Sequence, residues 1–266
     1  MAAVECEHGR GCHDGAIPSH ASAPTGSRAW LLIEHPGPWP EQELDTALPE
    51  PLRTVADSAA ALRIRVQMIR RPDRRRLSRR TAELPETMVA STAPVSGAPA
   101  DDGERSVFAG WAAGSSPWLR RGAAREAGQL DGAALAALAQ GREPGFGVPA
   151  TEPLFLVCAH GRRDACCARF GAPLARSLAR QDGPNVWETT HVGGHKYAAN
   201  LVILPHGLYY GPVDEKTADA AIDAYQRGEV TLDRYRGRAG QDQAVQEAER
   251  AALMRTGTRL PLSRLP

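Results

Sequence analysis

The stretch LFLVCAHGRRDACCARFGAPLARSLARQDGPNVWETTHVGGH, residues 154–195, narrows the folds open to this chain more than any other. LFLVC is too short for a buried helix and too apolar for a surface loop, so it reads as a buried strand that delivers Cys158 at its end. DACCARFGAPLARSLARQ follows with helical spacing, and NVWETTH reads as a second strand that delivers His191. Strand, helix and strand in such close succession is a βαβ-type arrangement. LVILPHGLYYG then suits a hairpin of two short strands. DEKTADAAIDAYQRG opens on Asp214 as an N-cap and closes at Gly228.

A less defined version of the same order precedes it. AWLLIEH, residues 29–35, is an apolar run closed by the turn PGPWP; PLRTVADSAAALRI has helical spacing, and IRVQMIRR alternates as a strand does. SVFAGWA, residues 106–112, is a further strand, and DGAALAALAQ, residues 131–140, a short helix. The order β-α-β-β-α is that of a thioredoxin-like domain. The expected class is therefore α/β, with two thioredoxin-like units, EHPGPWP in the first standing where CAHGRRD stands in the second. The expected divisions are a loose N-terminal arm at 1–27, an α/β domain without ligands at 28–147, and a second α/β domain at 148–266 that ends in a helical tail.

Charge argues against two classes of partner unless a local patch meets them. Thirty-two basic against 31 acidic residues leave a formal net charge of +1, which draws in neither nucleic acid nor an anionic membrane. RRPDRRRLSRR, residues 70–80, holds seven arginines; no aromatic residue interleaves to stack a base, so a solvated loop is the favoured reading, and a docking patch for an acidic partner or a phosphate backbone is the alternative. The Pro, Ala, Ser and Thr-rich stretch of 83–102 reads as a further loop. No run approaches the roughly 20 apolar residues of a membrane span, and no export signal is evident; the expected compartment is the cytoplasm. Oligomeric state is left open.

Five cysteines, Cys6, Cys12, Cys158, Cys166 and Cys167, are an odd number in a chain read as cytoplasmic, which argues against a disulfide framework and for a metal or redox role. CEHGRGCH, residues 6–13, has the wrong spacing for a usual zinc knuckle. The pattern farther along is more telling. Cys158 and Cys167 are separated by eight residues, and His191 and His195 by three. Neighbouring strand ends lie roughly 5–10 Å apart, so these four groups can converge at one edge of a sheet. Gly193 and Gly194 permit the positive φ of a tight ligand loop. On spacing alone a [2Fe-2S] cluster with two imidazole ligands and a structural zinc ion stand nearly even. A C-x5-R phosphatase loop is excluded, since position 164 holds Asp164. A thiol enzyme built on Cys166 and Cys167 lacks C-x2-C geometry.

CAHGRRDACC, HVGGHKYAAN and LVILPHGLYYGPVD together resemble the sucrase/ferredoxin-like family, most densely over residues 154–214, with weaker likeness in RAWLLIEHPGPWP and in RYRGR at 234–238. The resemblance implies a thioredoxin-like ferredoxin domain at 148–266 with a bis-histidinyl [2Fe-2S] cluster. It makes Cys158 and Cys167 the thiolate ligands and His191 and His195 the imidazole ligands. Around them, His160 is expected to donate to a ligand rather than be one, and Arg163 and Asp164 to pair or to cap the following helix. Cys166 is expected to be a small residue at the helix start, Gly193 and Gly194 to shape the loop, and Asn200 to hold it by side-chain bonds. The function so implied is a redox carrier rather than an enzyme with its own substrate, exchanging single electrons with donor and acceptor proteins that the sequence does not name. The alternative is a structural zinc-binding module that mediates protein interaction. The family's "sucrase" label implies no glycosidase here, because no carboxylate pair is marked out for acid and nucleophile roles.

Overall fold

The computed structural model describes residues 23–41, 48–72, 105–181, 183–257 and 259–265. The CEHGRGCH stretch, most of the arginine-rich stretch and the loop at 83–102 lie outside the described residues. In chain order the elements of the first half are β1 (Ala29–Glu34), α1 (Leu52–Ala61), β2 (Arg65–Arg70), β3 (Ser106–Trp111), β4 (Trp118–Ala123), α2 (Gly132–Ala139) and the two-residue β5 (Val148–Pro149). The second half supplies β6 (Leu154–Cys158), α3 (Ala172–Leu178), β7 (Val186–Thr189), β8 (Leu201–Leu204), β9 (Leu208–Tyr210) and α4 (Glu215–Gln226). It ends with β10 (Glu229–Thr231), β11 (Tyr235–Arg238), α5 (Gln243–Thr256) and β12 (Arg259–Pro261).

One ten-stranded sheet runs through both halves in the order β11-β9-β8-β6-β7-β2-β1-β3-β4-β5, with β10 and β12 paired separately. In the first half β1 and β2 are parallel, β3 runs antiparallel to β1, and β4 antiparallel to β3. The second half repeats that pairing with β6 and β7 parallel, β8 antiparallel to β6, and β9 antiparallel to β8. The halves meet along β2 and β7, antiparallel, through Ile69 opposite Thr189 and Arg70 opposite Glu188. Side chains reinforce this short seam: Arg70 Nε bonds Glu188 Oε2 at 2.7 Å, Thr190 Oγ1 donates to Gln67 Oε1 at 2.8 Å, and the Arg71 guanidinium lies 3.8 Å from the Trp187 ring centroid.

The apolar runs are continuous because both sheet faces are covered. Leu31 and Ile33 of β1 face a core that includes Leu52, Val55 and Leu135, whereas Trp30 and Leu32 face inward. There they share a core with Leu154, Leu156, Trp187, Val202 and Tyr209 of the second half, and Phe108 meets Trp187 edge to face at 5.8 Å. Cys158 and Cys167 belong to this inner core, so the sheet folds its two halves over the place where the thiols sit. Phe155 and Val157, pointing the other way from β6, pack with Leu174, Leu178 and Ile222. Asp214 caps α4 by accepting from Thr217 N at 2.8 Å, as the sequence pattern predicts. No helix among the described residues is long and apolar enough to cross a membrane.

The edges of the sheet are interrupted at both ends. β5 is two residues long and ends on Pro149, and β11 slips its register against β9 between Tyr235 and Gly237. Arg238 of β11 and Glu249 of α5 form a buried ion pair, which the Tyr235 hydroxyl joins by donating to Glu249 Oε2 at 2.9 Å.

His206, in the turn between β8 and β9, contacts the Tyr225 hydroxyl at 2.6 Å, and burial, aided by the nearby Arg238 charge, lowers its pKa to about 4. An exposed imidazole titrates near 6.5, so between about 6.5 and 4 the unfolded chain takes a proton that the folded chain refuses. The protein should therefore lose up to about 3 kcal/mol of stability as the pH falls through that window, with no further loss from this residue below it. In urea unfolding at pH 7 and pH 4.5, His206→Gln should show a visibly smaller drop than the parent; an equal drop in both proteins excludes this cause.

Candidate metal centre

The first pair of candidate ligands is delivered by the end of β6 and the helix start that follows it. Cys158 N donates to Asn200 O at 3.1 Å and Ala159 N to Thr189 O at 3.0 Å, so the sheet's ladder carries on to the site itself. The chain then turns over Gly161 to Arg163 and enters a helix at Ala165. Asp164 caps this helix: its Oδ1 accepts from Cys166 N at 2.9 Å. A π turn over Cys167–Gly171 precedes α3; such a turn inserts an extra residue into the helical register and is frequent at functional sites. Gly171 lets the helix sit on the strand, because a Cβ there would fall 1.8 Å from the Cys158 carbonyl oxygen. The contact sets how near the helix brings Cys167 to Cys158.

The second pair comes from the loop after β7, and nearly every peptide group of that loop is held. The His191 N–H donates to His160 Nδ1 at 3.3 Å, and its carbonyl accepts from Arg65 at 3.2 Å. The Val192 carbonyl accepts from the Tyr209 hydroxyl at 3.2 Å, and that of Gly194 from Asn200 Nδ2 at 3.1 Å. Gly193 and Gly194 have φ of +92° and +74°, conformations that favour glycine. A Cβ on Gly194 would also come within 2.6 Å of the Arg236 guanidinium, which is bonded in turn to Asn200 Oδ1.

Cys158, Cys167 and His191 come together: one ligand atom from each lies within 4.8 Å of the others. Both cysteines are buried, and Cys167 Sγ stands 3.7 Å from His191 Nδ1. The Cys167 thiol, then His191 and the Val192 N–H, donate to Cys158 and hold its thiol well below the ordinary cysteine range despite burial. Cys167, donating to that sulfur and buried beside its charge, is pushed up. His195 stands at the rim, its ring centroid 6.5 Å from that of His191 and its Nδ1 3.1 Å from Asp164 Oδ2. Its side chain is 40% exposed, whereas Cys158 and Cys167 are buried. Two buried soft sulfurs and a half-buried imidazole, with a second imidazole beside them, form a donor set for zinc or an iron-sulfur centre.

The surrounding candidates divide by what they touch. His160 is buried, with Nε2 2.6 Å from the Pro40 carbonyl and burial lowering its pKa, so both ring nitrogens are engaged. Asp164 serves both the helix start and His195, and Cys166 is a buried residue of the first helical turn. Arg163 is exposed. Asn200 links the Gly194 carbonyl to Arg236. Arg65 and Gly171 carry no signal in the local sequence; Tyr209 and Arg236 lie in LVILPHGLYYGPVD and RYRGR, but only packing reveals what they hold.

A family model described as sucrase/ferredoxin-like matches residues 21–237. The protein called Altered inheritance of mitochondria protein 32 in Meyerozyma guilliermondii is 35% identical over 98 residues, 33% of this chain and 35% of that protein. Its namesake in Eremothecium gossypii is 30% identical over 123 residues, 36% of this chain and 39% of that protein. A third, from Debaryomyces hansenii, is 33% identical over 97 residues, 32% of this chain and 36% of that protein. The chain spans little more than a third of the length of these curated relatives. No solved structure matches it.

Proposed function

The chain belongs to the sucrase/ferredoxin-like family, and on that premise we propose that it is a one-electron carrier whose [2Fe-2S] cluster is held by Cys158, Cys167, His191 and His195. The scaffold in this reading is a pair of thioredoxin-like units, of which 148–266 is the ferredoxin domain. One observation supports it above the rest: a buried thiol pair and an immobilised His-Val-Gly-Gly-His loop, delivered by separate elements, face each other at one end of the sheet. The donor set fits the group, since both sulfurs are buried beside His191 and the second imidazole stands next to it.

Such a cluster supplies reversible one-electron chemistry, at a higher potential than with four thiolates because two neutral imidazoles leave the centre near zero charge. The protein's own residues do the rest. Cys158 and Cys167, within the inner core, keep water from the sulfurs. Asp164 steadies the ring of His195, and Arg65, His160, Tyr209 and Asn200 fix the backbone that carries both histidines. His195, far more open than the buried cysteines, is the side from which donor and acceptor proteins exchange the electron. Each imidazole also keeps an outer nitrogen through which electron uptake can be coupled to a proton.

The closeness of three donor atoms, within 4.8 Å, favours one rival: a single zinc ion in a structural module that binds another protein. Visible and EPR spectra of anaerobically purified protein, with iron, zinc and labile sulfide counted, separate the two. The carrier should be red-brown, with two irons and two sulfides per chain and a rhombic signal on reduction. A colourless protein with one zinc and no sulfide sinks it.

A further inference from the structure

The first half of the chain carries no ligand of the proposed centre, yet it reaches the ligand loop through a bridge built on His160. Pro40, in the loop after β1, offers only a carbonyl, and a carbonyl only accepts. With 2.6 Å between that oxygen and His160 Nε2, the ring hydrogen must sit on Nε2. The neutral ring then has a lone pair at Nδ1, where it receives the His191 N–H at 3.3 Å. One tautomer satisfies both bonds, and using His160 as a metal ligand would break one of them.

The ring's orientation is set from the same side. Trp39 packs on His160 edge to face, with centroids 6.0 Å apart, and is itself buried. Trp39 Nε1 donates to His35 O at 3.1 Å, and His35 N donates to Ile69 O at 2.8 Å, which ties the loop to the end of β2. The Arg70 guanidinium covers the other part of the indole, 4.1 Å from the centroid, while its Nε bonds Glu188 of β7. The whole train runs from β2 through Trp39 and His160 to the backbone of His191.

We propose that His160 is a positioning residue of the metal centre, and that the first half, through Pro40 and Trp39, sets the geometry and hold of His191. This rests on the reading of His191 as a ligand. Partners that orient a metal-bound histidine are typically worth about 10- to 100-fold in metal retention when removed.

The test measures release of the bound metal to an excess of a chromogenic chelator, and the EPR g-values of the reduced protein, on the full chain as isolated. His160→Leu removes both bonds and should release its metal at least about tenfold faster. His160→Asn places an acceptor where Nδ1 stands and should recover most of the retention and the parental spectrum. His160→Gln places its amide near Nε2, bonds only Pro40, and should fall between the two. Trp39→Leu, remote from the ligands, should shift the g-values or speed release in the same direction as His160→Leu. Equal release rates and spectra in parent and His160→Leu overturn the proposal, as does His160→Asn behaving like His160→Leu. Should the parent hold zinc, the carrier reading fails by its spectrum, while the same release rates still judge His160.

Discussion

On the proposed ligand set, His191→Cys, and separately His195→Cys, should give a protein that still binds a [2Fe-2S] cluster but whose reduction potential falls by on the order of 100–300 mV. The reason is charge. An oxidised [2Fe-2S] core of +2 is neutralised by two thiolates when the other ligands are neutral imidazoles, and each further thiolate adds a negative charge that opposes the incoming electron. Fully thiolate-bound plant-type clusters lie at about −400 mV, and Rieske centres at roughly −150 to +300 mV. Each variant also loses an imidazole that can exchange a proton, so the slope of potential against pH should flatten. Spectroelectrochemical titration from pH 6 to pH 9 reads both effects. Two variants with the parental potential would remove His191 and His195 from the ligand set.

Glu249→Ala should destabilise the fold by about 3–5 kcal/mol. The Arg238 and Glu249 side chains are 3% and 0% exposed, and burial raises the Glu249 carboxyl pKa although Arg238 stands beside it. Such a pair has already lost its hydration, so removing the carboxylate strands a guanidinium in the interior without its counter-charge. Arg238→Met combined with Glu249→Leu should recover most of the loss, because the cost lies in the orphaned charge rather than in the missing pair. Urea midpoints of the two single variants and the double variant measure it. If Glu249→Ala costs less than about 1 kcal/mol, the pair behaves as a solvated surface pair.

How much of this was legible in the sequence depended on how local the cause is. β1, β6 and β8 showed as apolar runs because a strand covered on both faces must be apolar at consecutive positions. WLRRGA did not show as β4: Arg120 and Arg121 are adjacent, and what lets them lie in a strand is distant, as when Arg120 donates to the Phe146 and Gly147 carbonyls. Within the candidate site, residue type and spacing marked Cys158, Cys167, His191 and His195 as candidates, of which the structure groups the first three, whereas their supports carried no such mark. Gly171 looks like any glycine in a helix until its distance to the Cys158 carbonyl is known. Arg65 is one among many arginines, and the likeness in RYRGR gives Arg236 no role until its bond to Asn200 is seen. The C-x-H of Cys158 and His160 is equally good grammar for a ligand or a ligand's neighbour, and the proposal that it is a neighbour rests on Pro40, 120 residues away.

The interrupted ends of the ten-stranded sheet bear on how the protein behaves when crowded. A long sheet is a template for aggregation wherever an edge strand presents a regular row of free donors and acceptors to a second molecule. Here one edge is two residues that end on a proline without an N–H, and the other breaks step at Tyr235 and Gly237 beside a helix clamped to it by a buried charge pair. Neither margin offers a neighbouring copy a continuous strand to copy, so the sheet can be wide without being adhesive.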